Sequence, residues 1–347
     1  MVYSDSTKIR FNRLVEASIK ENLFKGKTII LYGARQVGKT TLVKKLLNEL
    51  KDTSSLYINA DEGDYRHLLN EAETSTALRQ IVGDASLVVI DEAQRVKDIG
   101  LKLKLLVDNF PDQQIIATGS SSFELSSQII EPLTGRALEF WLYPLSVGEL
   151  LMQFDKVTAN RMLESLLIYG CYPGVVNAPS INDKKFLVNE ITSNYLYKDL
   201  LKFNNLKSPD MVVKLLSAIA LQIGNEVSFN ELGQLLGINK KTVESYVELL
   251  EKAFIIFRLG PFSRNQRKEL GKLRKIYFYD VGVRNSLINN QNTLDLRDDV
   301  GKLWENFIVS EWKKKDVSMA NKKPLYLNNG FYWWDILYIA RKYFENC

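Results

Sequence analysis

Short apolar runs closed by polar or glycine-bearing turns alternate with stretches of helical spacing over the first 150 residues. Residues 8–24 (KIRFNRLVEASIKENLF) set Ile9, Leu14, Ala17, Ile19 and Leu23 near helical spacing, which predicts an amphipathic helix. Gly26 breaks it, and KTIILYG follows as a continuous apolar run of the kind that suits a buried parallel strand. A helix is predicted from Lys39 to about Leu50 and another around 100–109. Further strands are predicted at 54–61 (SSLYINAD), 86–91 (SLVVID), 114–121 (QIIATGSS) and 137–146 (ALEFWLYPLS). Strands alternating with helices indicate an α/β fold built on a parallel sheet.

Beyond residue 150 the pattern changes. Residues 157–223 have helical spacing, interrupted by YGCYPGVV at 169–176. Residues 224–285 have the pattern of a winged helix-turn-helix. In SFNELGQLLGI, Ser228 is a candidate N-cap for a short helix, and Asn239 caps KKTVESYVELLEKAF. The apolar stretches FIIFRL and IYFYDV supply two strands of a wing. The expected organisation is an α/β domain (1–155), a helical segment (156–223), a winged helix (224–290) and a tail (291–347).

Composition narrows the classes. With 347 residues, 46% hydrophobic and 25% charged, the chain has enough apolar material for real cores, which excludes intrinsic disorder. Cys171 and Cys347 form neither a disulfide framework nor a ligand-spaced pair, and His67 is the single histidine. No apolar run reaches the roughly 18 residues of a membrane span, and Met1 to Lys20 lacks the apolar core of a signal peptide. The expected location is the cytoplasm. Arg264, Arg267, Lys268, Lys272, Arg274 and Lys275 face only Glu269, a local surplus as large as the net charge of +5 of the whole chain. This stretch is either a DNA-backbone contact at the wing tip or a solvated loop.

Gly33-Ala34-Arg35-Gln36-Val37-Gly38-Lys39-Thr40 matches G-x-x-x-x-G-K-[ST] in full, between a predicted strand and a predicted helix. The glycines let the backbone curl so that successive N–H groups face a phosphate, and the helix dipole adds to the pull. Lys39 is then expected to span the β- and γ-phosphates and the Thr40 hydroxyl to ligate Mg²⁺. Gly33 through Thr41 make up the expected ATP-contacting set. An apolar strand ending in Asp91-Glu92 puts two carboxylates at the carboxyl edge of the sheet. Asp91 would hold Mg²⁺ through water and Glu92 would orient or deprotonate the attacking water. In Ala117-Thr118-Gly119-Ser120-Ser121, Ser120 or Thr118 is the candidate for contact with the γ-phosphate; a helix cap is the competing reading. Arg136 either stabilises the transferring phosphate, within the chain or on a neighbour in an oligomer, or makes a surface salt bridge.

GARQVGKTTL, VVIDEAQ, ATGSSS, LTGRALEFWLYPLSVGEL, YGCYPGVV and NKKTVESYVELL follow one another in a specific order. Over residues 8–313 the chain resembles the bacterial and archaeal AAA-type ATPases that carry a C-terminal domain of unknown function. The resemblance implies a P-loop ATPase core that uses ATP rather than GTP, a winged helix, and a domain similar to PD-(D/E)XK nucleases. GKLWENFIVSEWKKK resembles the opening helix of that last domain, with Glu305 as its early acidic residue. The segment from Leu325 to Cys347, with Asp335, departs from the nuclease pattern. Asp91-Glu92-Ala93-Gln94 also resembles a helicase box, but no second set of alternating strands and helices follows residue 150. Two functions of different class remain: an ATP-driven enzyme acting on DNA or on a DNA-bound partner, and a nucleotide-dependent switch contacting protein partners with little or no turnover.

Overall fold

The computed structural model describes residues 9–119, 132–194, 208–259 and 274–318. The apolar runs of the first part form one parallel sheet of β1 (Thr28–Gly33), β2 (Ser55–Asn59), β3 (Leu87–Asp91), β4 (Gln114–Gly119) and β5 (Ala137–Leu142), in the order β2-β3-β4-β1-β5. Every residue of β1, β3 and β4 is buried, as expected of central strands covered on both faces. The edge strands β2 and β5 keep partly exposed positions. Helices α1 (Leu14–Glu21), α2 (Lys39–Glu49), α3 (Gly63–Glu71), α4 (Ser75–Val82) and α5 (Ile99–Asn109) complete this unit, which runs from Arg13 to Tyr143.

Several elements are shorter than the periodicity predicts, the first helix and the fifth strand most of all. The first helix, expected over 8–24, begins only at Leu14, because Arg13 is extended and its buried guanidinium bonds to other parts of the unit. The fifth strand, expected to run to residue 146, ends at Leu142. Ser146 instead caps α6 (Val147–Leu151) in a capping box, its side chain accepting from the Glu149 N–H while Glu149 Oε2 accepts from Ser146 N.

The second compact unit lies mostly within Pro144–Asp316. After α6 come α7 (Lys156–Tyr169), α8 (Pro173–Val176), α9 (Ile181–Asn194) and α10 (Pro209–Leu221). The chain then forms β6 (Glu226–Val227), α11 (Phe229–Leu236), α12 (Lys240–Lys252), β7 (Ile256–Leu259), β8 (Arg274–Phe278), α13 (Val281–Leu287) and α14 (Val300–Ser318). Ser228 caps α11 by accepting from Glu231 N, and Asn239 caps α12 by accepting from Thr242 N. The three short strands pair antiparallel in the order β6-β8-β7. Gly170 has φ +84°, and a Cβ there would stand 2.0 Å from Asp280 Oδ1, so only glycine fits the turn that follows α7.

Charged groups lie deep in this unit. Asp299 Oδ1 accepts from Arg297 Nε at 2.8 Å, and its other oxygen from Arg297 Nη2 and Arg284 Nη1. Burial alone would raise the Asp299 carboxyl, but the hydrogen bonds from Arg297 and Arg284 outweigh it and hold the group below its ordinary value. A carboxyl depressed on folding stabilises the fold above its unfolded pKa, near 3.9 for aspartate, and that stability is lost as pH falls through the folded value. The melting temperature of the wild type is therefore expected to drop below about pH 4. Asp299→Asn should lose stability already at neutral pH and show a flatter acid limb in thermal melts across pH.

Candidate functional site

The carboxyl ends of β1, β3 and β4 lie side by side because β4 pairs with both its neighbours, in register Leu31↔Thr118 and Ile90↔Ala117. The loop that leaves β1 therefore faces the acidic end of β3 across the end of β4. A Cβ on Gly33 would stand 2.3 Å from the Leu142 carbonyl oxygen, so the loop begins pressed against β5 where only glycine fits. Gln36 (φ 59°) and Gly38 (φ 100°) take left-handed backbone, which curls the loop into the N-terminus of α2. Lys39 is buried, and its Nζ donates to the carbonyls of Gly33 and Ala34, each at 2.8 Å. The ammonium thus folds back over its own loop. Ala34 and Val37 are buried, Arg35 is half-buried, and Gln36 and Thr41 are exposed.

Asp91 is the hub of the opposite side. Its carboxylate is 2% exposed and accepts three hydroxyl donors: Thr40 at 2.7 Å and Tyr57 at 2.6 Å on Oδ2, and Thr118 on Oδ1. A carboxylate only accepts, so the Thr40 proton is committed to Asp91 and the Thr40 oxygen keeps its lone pairs for a cation. A hydroxyl and a carboxylate are hard oxygen ligands, a donor set that fits Mg²⁺, which takes one or two protein oxygens and completes its shell with phosphate and water. Thr118 Oγ1 also accepts from the Glu92 N–H at 3.3 Å. Glu92 sits at φ 54°, an uncommon backbone for a non-glycine residue, and its Oε2 accepts from Gln94 Nε2 at 2.6 Å. Burial first, then the bond to Asp91, push the Tyr57 phenol above its ordinary value, so it serves as a donor.

The fold brings Lys39, Thr40, Asp91 and Glu92 together at one edge of the sheet, with Thr118 between them. Arg136 is placed elsewhere. It precedes β5, where Ala137 pairs with Thr28 at the start of β1, while the loop leaves β1 at Gly33 opposite Leu142. Five residues of strand separate the two ends, about 16 Å. There Arg136 Nε bonds Asp108 Oδ1 at 2.5 Å. Ser120 lies outside the described residues, as do Arg264, Arg267, Lys268 and Lys272. Arg274 lies in β8, and Lys275 Nζ pairs with Glu305 Oε1 at 2.8 Å, as does the Tyr277 hydroxyl at 2.7 Å. Glu305 is thus held in an ion pair, and Asp335 lies outside the described residues.

Three residues at this site were not singled out from the sequence. Tyr57 is one; nothing local in β2 signals that its hydroxyl reaches β3. Arg13 is another, donating through Nη1 to Val37 O and through Nη2 to Tyr143 O, both at 2.6 Å, which ties the phosphate-type loop to the end of the unit. Gln94 is the third, visible in the sequence only as part of the run after Asp91-Glu92.

Residues 25–151 match the family model of an AAA domain, and residues 160–294 match that of a domain of unknown function, DUF8612. An uncharacterized protein of Methanocaldococcus jannaschii is 23% identical over 342 residues, covering 94% of this chain and 75% of the relative. An uncharacterized protein of Mycobacterium tuberculosis is 24% identical over 320 residues, covering 91% of this chain and 67% of the relative. Among solved structures, a DNA polymerase III gamma subunit-related protein of Thermotoga maritima is 13% identical, covers 70% of this chain and 97% of its own, and has a TM-score of 0.27. The AAA match and the five-stranded parallel sheet support an AAA-type P-loop ATPase. The second match names neither a winged helix nor a nuclease. Among the described residues no helix is long and apolar enough to cross a membrane.

Proposed function

We propose that this chain binds ATP with Mg²⁺, hydrolyses it, and uses the nucleotide state to move a winged-helix module formed by residues 224–290. The observation that carries the reading is the convergence of the Lys39 loop and the Thr40 hydroxyl on the buried Asp91 carboxylate, with Glu92 beside it. Mg²⁺, held by Thr40 and Asp91, would neutralise phosphate charge. Lys39 leaves the Gly33 and Ala34 carbonyls for the β- and γ-phosphates, and the N–H groups of the loop and the first turn of α2 face the same oxygens. Glu92 orients the attacking water and accepts its proton, positioned by the Thr118 bond to its backbone and by Gln94 on its carboxylate. Thr118, or Ser120 after it, reports on the γ-phosphate.

Arg136 stands at the far end of β5 from this loop and pairs with Asp108, which fits a surface salt bridge; the competing role is on a transferring phosphate of a neighbouring copy. That role requires the Asp108 pair to open. The location consistent with this activity is the cytoplasm.

The partner of the winged helix divides two readings. DNA contact rests on the basic stretch 264–275. The exposed face of α12, the helix that would enter a groove, carries Glu244 and Glu248 beyond Lys240 and Lys241, and Glu251 is paired with Arg258 at 2.6 Å. Carboxylates along that face would oppose phosphates on both sides of a groove, which favours a protein partner for α12. Steady-state ATP hydrolysis by the purified chain, with and without duplex DNA at several salt concentrations, tests both readings. Mg²⁺-dependent turnover is expected. Salt-sensitive stimulation by DNA would establish the DNA-coupled form, and ATP binding without turnover under any condition would leave a nucleotide switch. A chain that binds no ATP overturns the proposal.

A further inference from the structure

Asp91 is held from three sides, and two of the three donors come from the expected nucleotide-binding and γ-phosphate-sensing segments, Thr40 at the start of α2 and Thr118 at the end of β4. The third comes from neither. Tyr57 stands on the edge strand β2, opposite Val89, and its hydroxyl spans to Asp91 Oδ2 at 2.6 Å. Lys44 Nζ, on α2, lies 4.9 Å from its ring centroid, within reach of a cation–π contact. The same helix therefore supplies Thr40 to the carboxylate and Lys44 to the phenol that grips it.

A carboxylate has about four lone-pair sites, and here three are filled by hydroxyls, one on Oδ1 and two on Oδ2. The plane of the group is fixed, and one direction, on Oδ1, is left for a water or cation. Without the phenol, Oδ2 would keep only the Thr40 hydroxyl, whose oxygen also serves the cation. We propose that Tyr57 is a positioning residue for the Mg²⁺ site: its hydroxyl locks the Asp91 carboxylate so that Thr40 and Asp91 face one cation. The inference rests on the ATP-Mg²⁺ reading above and adds to it a residue that acts only through Asp91.

Outer groups that orient metal-binding carboxylates typically change metal affinity by ten- to a hundredfold when removed. The test is binding of a fluorescent ATP analogue to the full chain, titrated with Mg²⁺ and repeated without metal in EDTA. For Tyr57→Phe the half-saturating Mg²⁺ concentration is expected to rise about tenfold, with the metal-free nucleotide affinity within about twofold of wild type. Lys44→Met, on the exposed face of α2, frees the ring without removing the hydroxyl. It should shift the Mg²⁺ titration in the same direction by a smaller factor and cannot be blamed on a lost core contact. Mg²⁺ titrations of both variants that superimpose on wild type overturn the inference. So does a Tyr57→Phe chain that loses metal-free and metal-dependent affinity equally, because that marks general loosening of the site. Wild-type chain that binds no nucleotide at any Mg²⁺ concentration overturns the ATP reading itself, and this inference with it.

Discussion

Lys39→Ala is expected to weaken ATP binding by at least about a hundredfold, since each hydrogen bond to a charged group is worth about 1.5–3 kcal/mol and the ammonium would reach both the β- and the γ-phosphate. The ammonium here bonds the carbonyls of Gly33 and Ala34. Alanine therefore also leaves the loop carbonyls without that donor, and a small fall in melting temperature should accompany the loss of binding. Glu92→Gln separates binding from chemistry. Glutamine keeps the size of the side chain and an acceptor for Gln94, and the Glu92 backbone bond to Thr118 does not involve the side chain. ATP affinity should stay near wild type while turnover falls by about 10²- to 10⁴-fold, the usual worth of a general base. Calorimetric ATP titration beside steady-state turnover checks both. Equal turnover in Glu92→Gln and wild type would remove Glu92 from the mechanism and point to another base.

The largest stability effect is expected at Lys314. This lysine is buried on α14 and donates to the Leu145 carbonyl at 3.1 Å and to Glu311 Oε1 at 2.8 Å. Glu311 is 0% exposed, and its other oxygen accepts from Val147 N at 2.7 Å. Burial would depress the lysine, but the Glu311 carboxylate, with Cys171 and Asp280 nearby, outweighs it and raises the ammonium above its ordinary value. Burial raises Asp280, with Lys314 opposing. Lys314→Met would leave acidic groups in the interior without their cation. Breaking a buried pair from one side costs about 3–5 kcal/mol, which for a unit of this size lowers the melting temperature by about 10 °C or more. Glu311→Gln added to Lys314→Met should recover part of the loss, because it removes the stranded charge and keeps an acceptor for Val147 N. Denaturant unfolding of the two variants and the wild type measures this. A Lys314→Met chain as stable as wild type would mean that the cluster contributes no net stability.

Much of the site was legible because its chemistry is local. A loop of glycines before a lysine and a threonine needs only the strand before it and the helix after it to present N–H groups, and β1 and α2 supply them. Asp91-Glu92 at the end of an apolar run could be placed at the carboxyl edge of the sheet by the same logic. The caps Ser228 and Asn239 were readable for the same reason, since a cap acts within four residues. Arg136 shows the limit. Its sequence neighbourhood says nothing about which edge of the sheet it occupies, and only the register of β5 on β1 sets it opposite the loop.

By itself, then, the order of apolar runs and turns determined an α/β unit with a phosphate-type loop and an acidic strand end, because periodicity and turn chemistry are written within a few residues. The tertiary structure alone decided which distant side chains close the site. Tyr57 reaches Asp91 across 34 positions, and Arg13 reaches Tyr143 across 130. Whether a tyrosine on an edge strand faces solvent or a carboxylate depends on strand order, and whether an arginine starts a helix or clamps a loop depends on what packs beside it. Both are set by how elements far apart in the chain pack, and no local pattern encodes that.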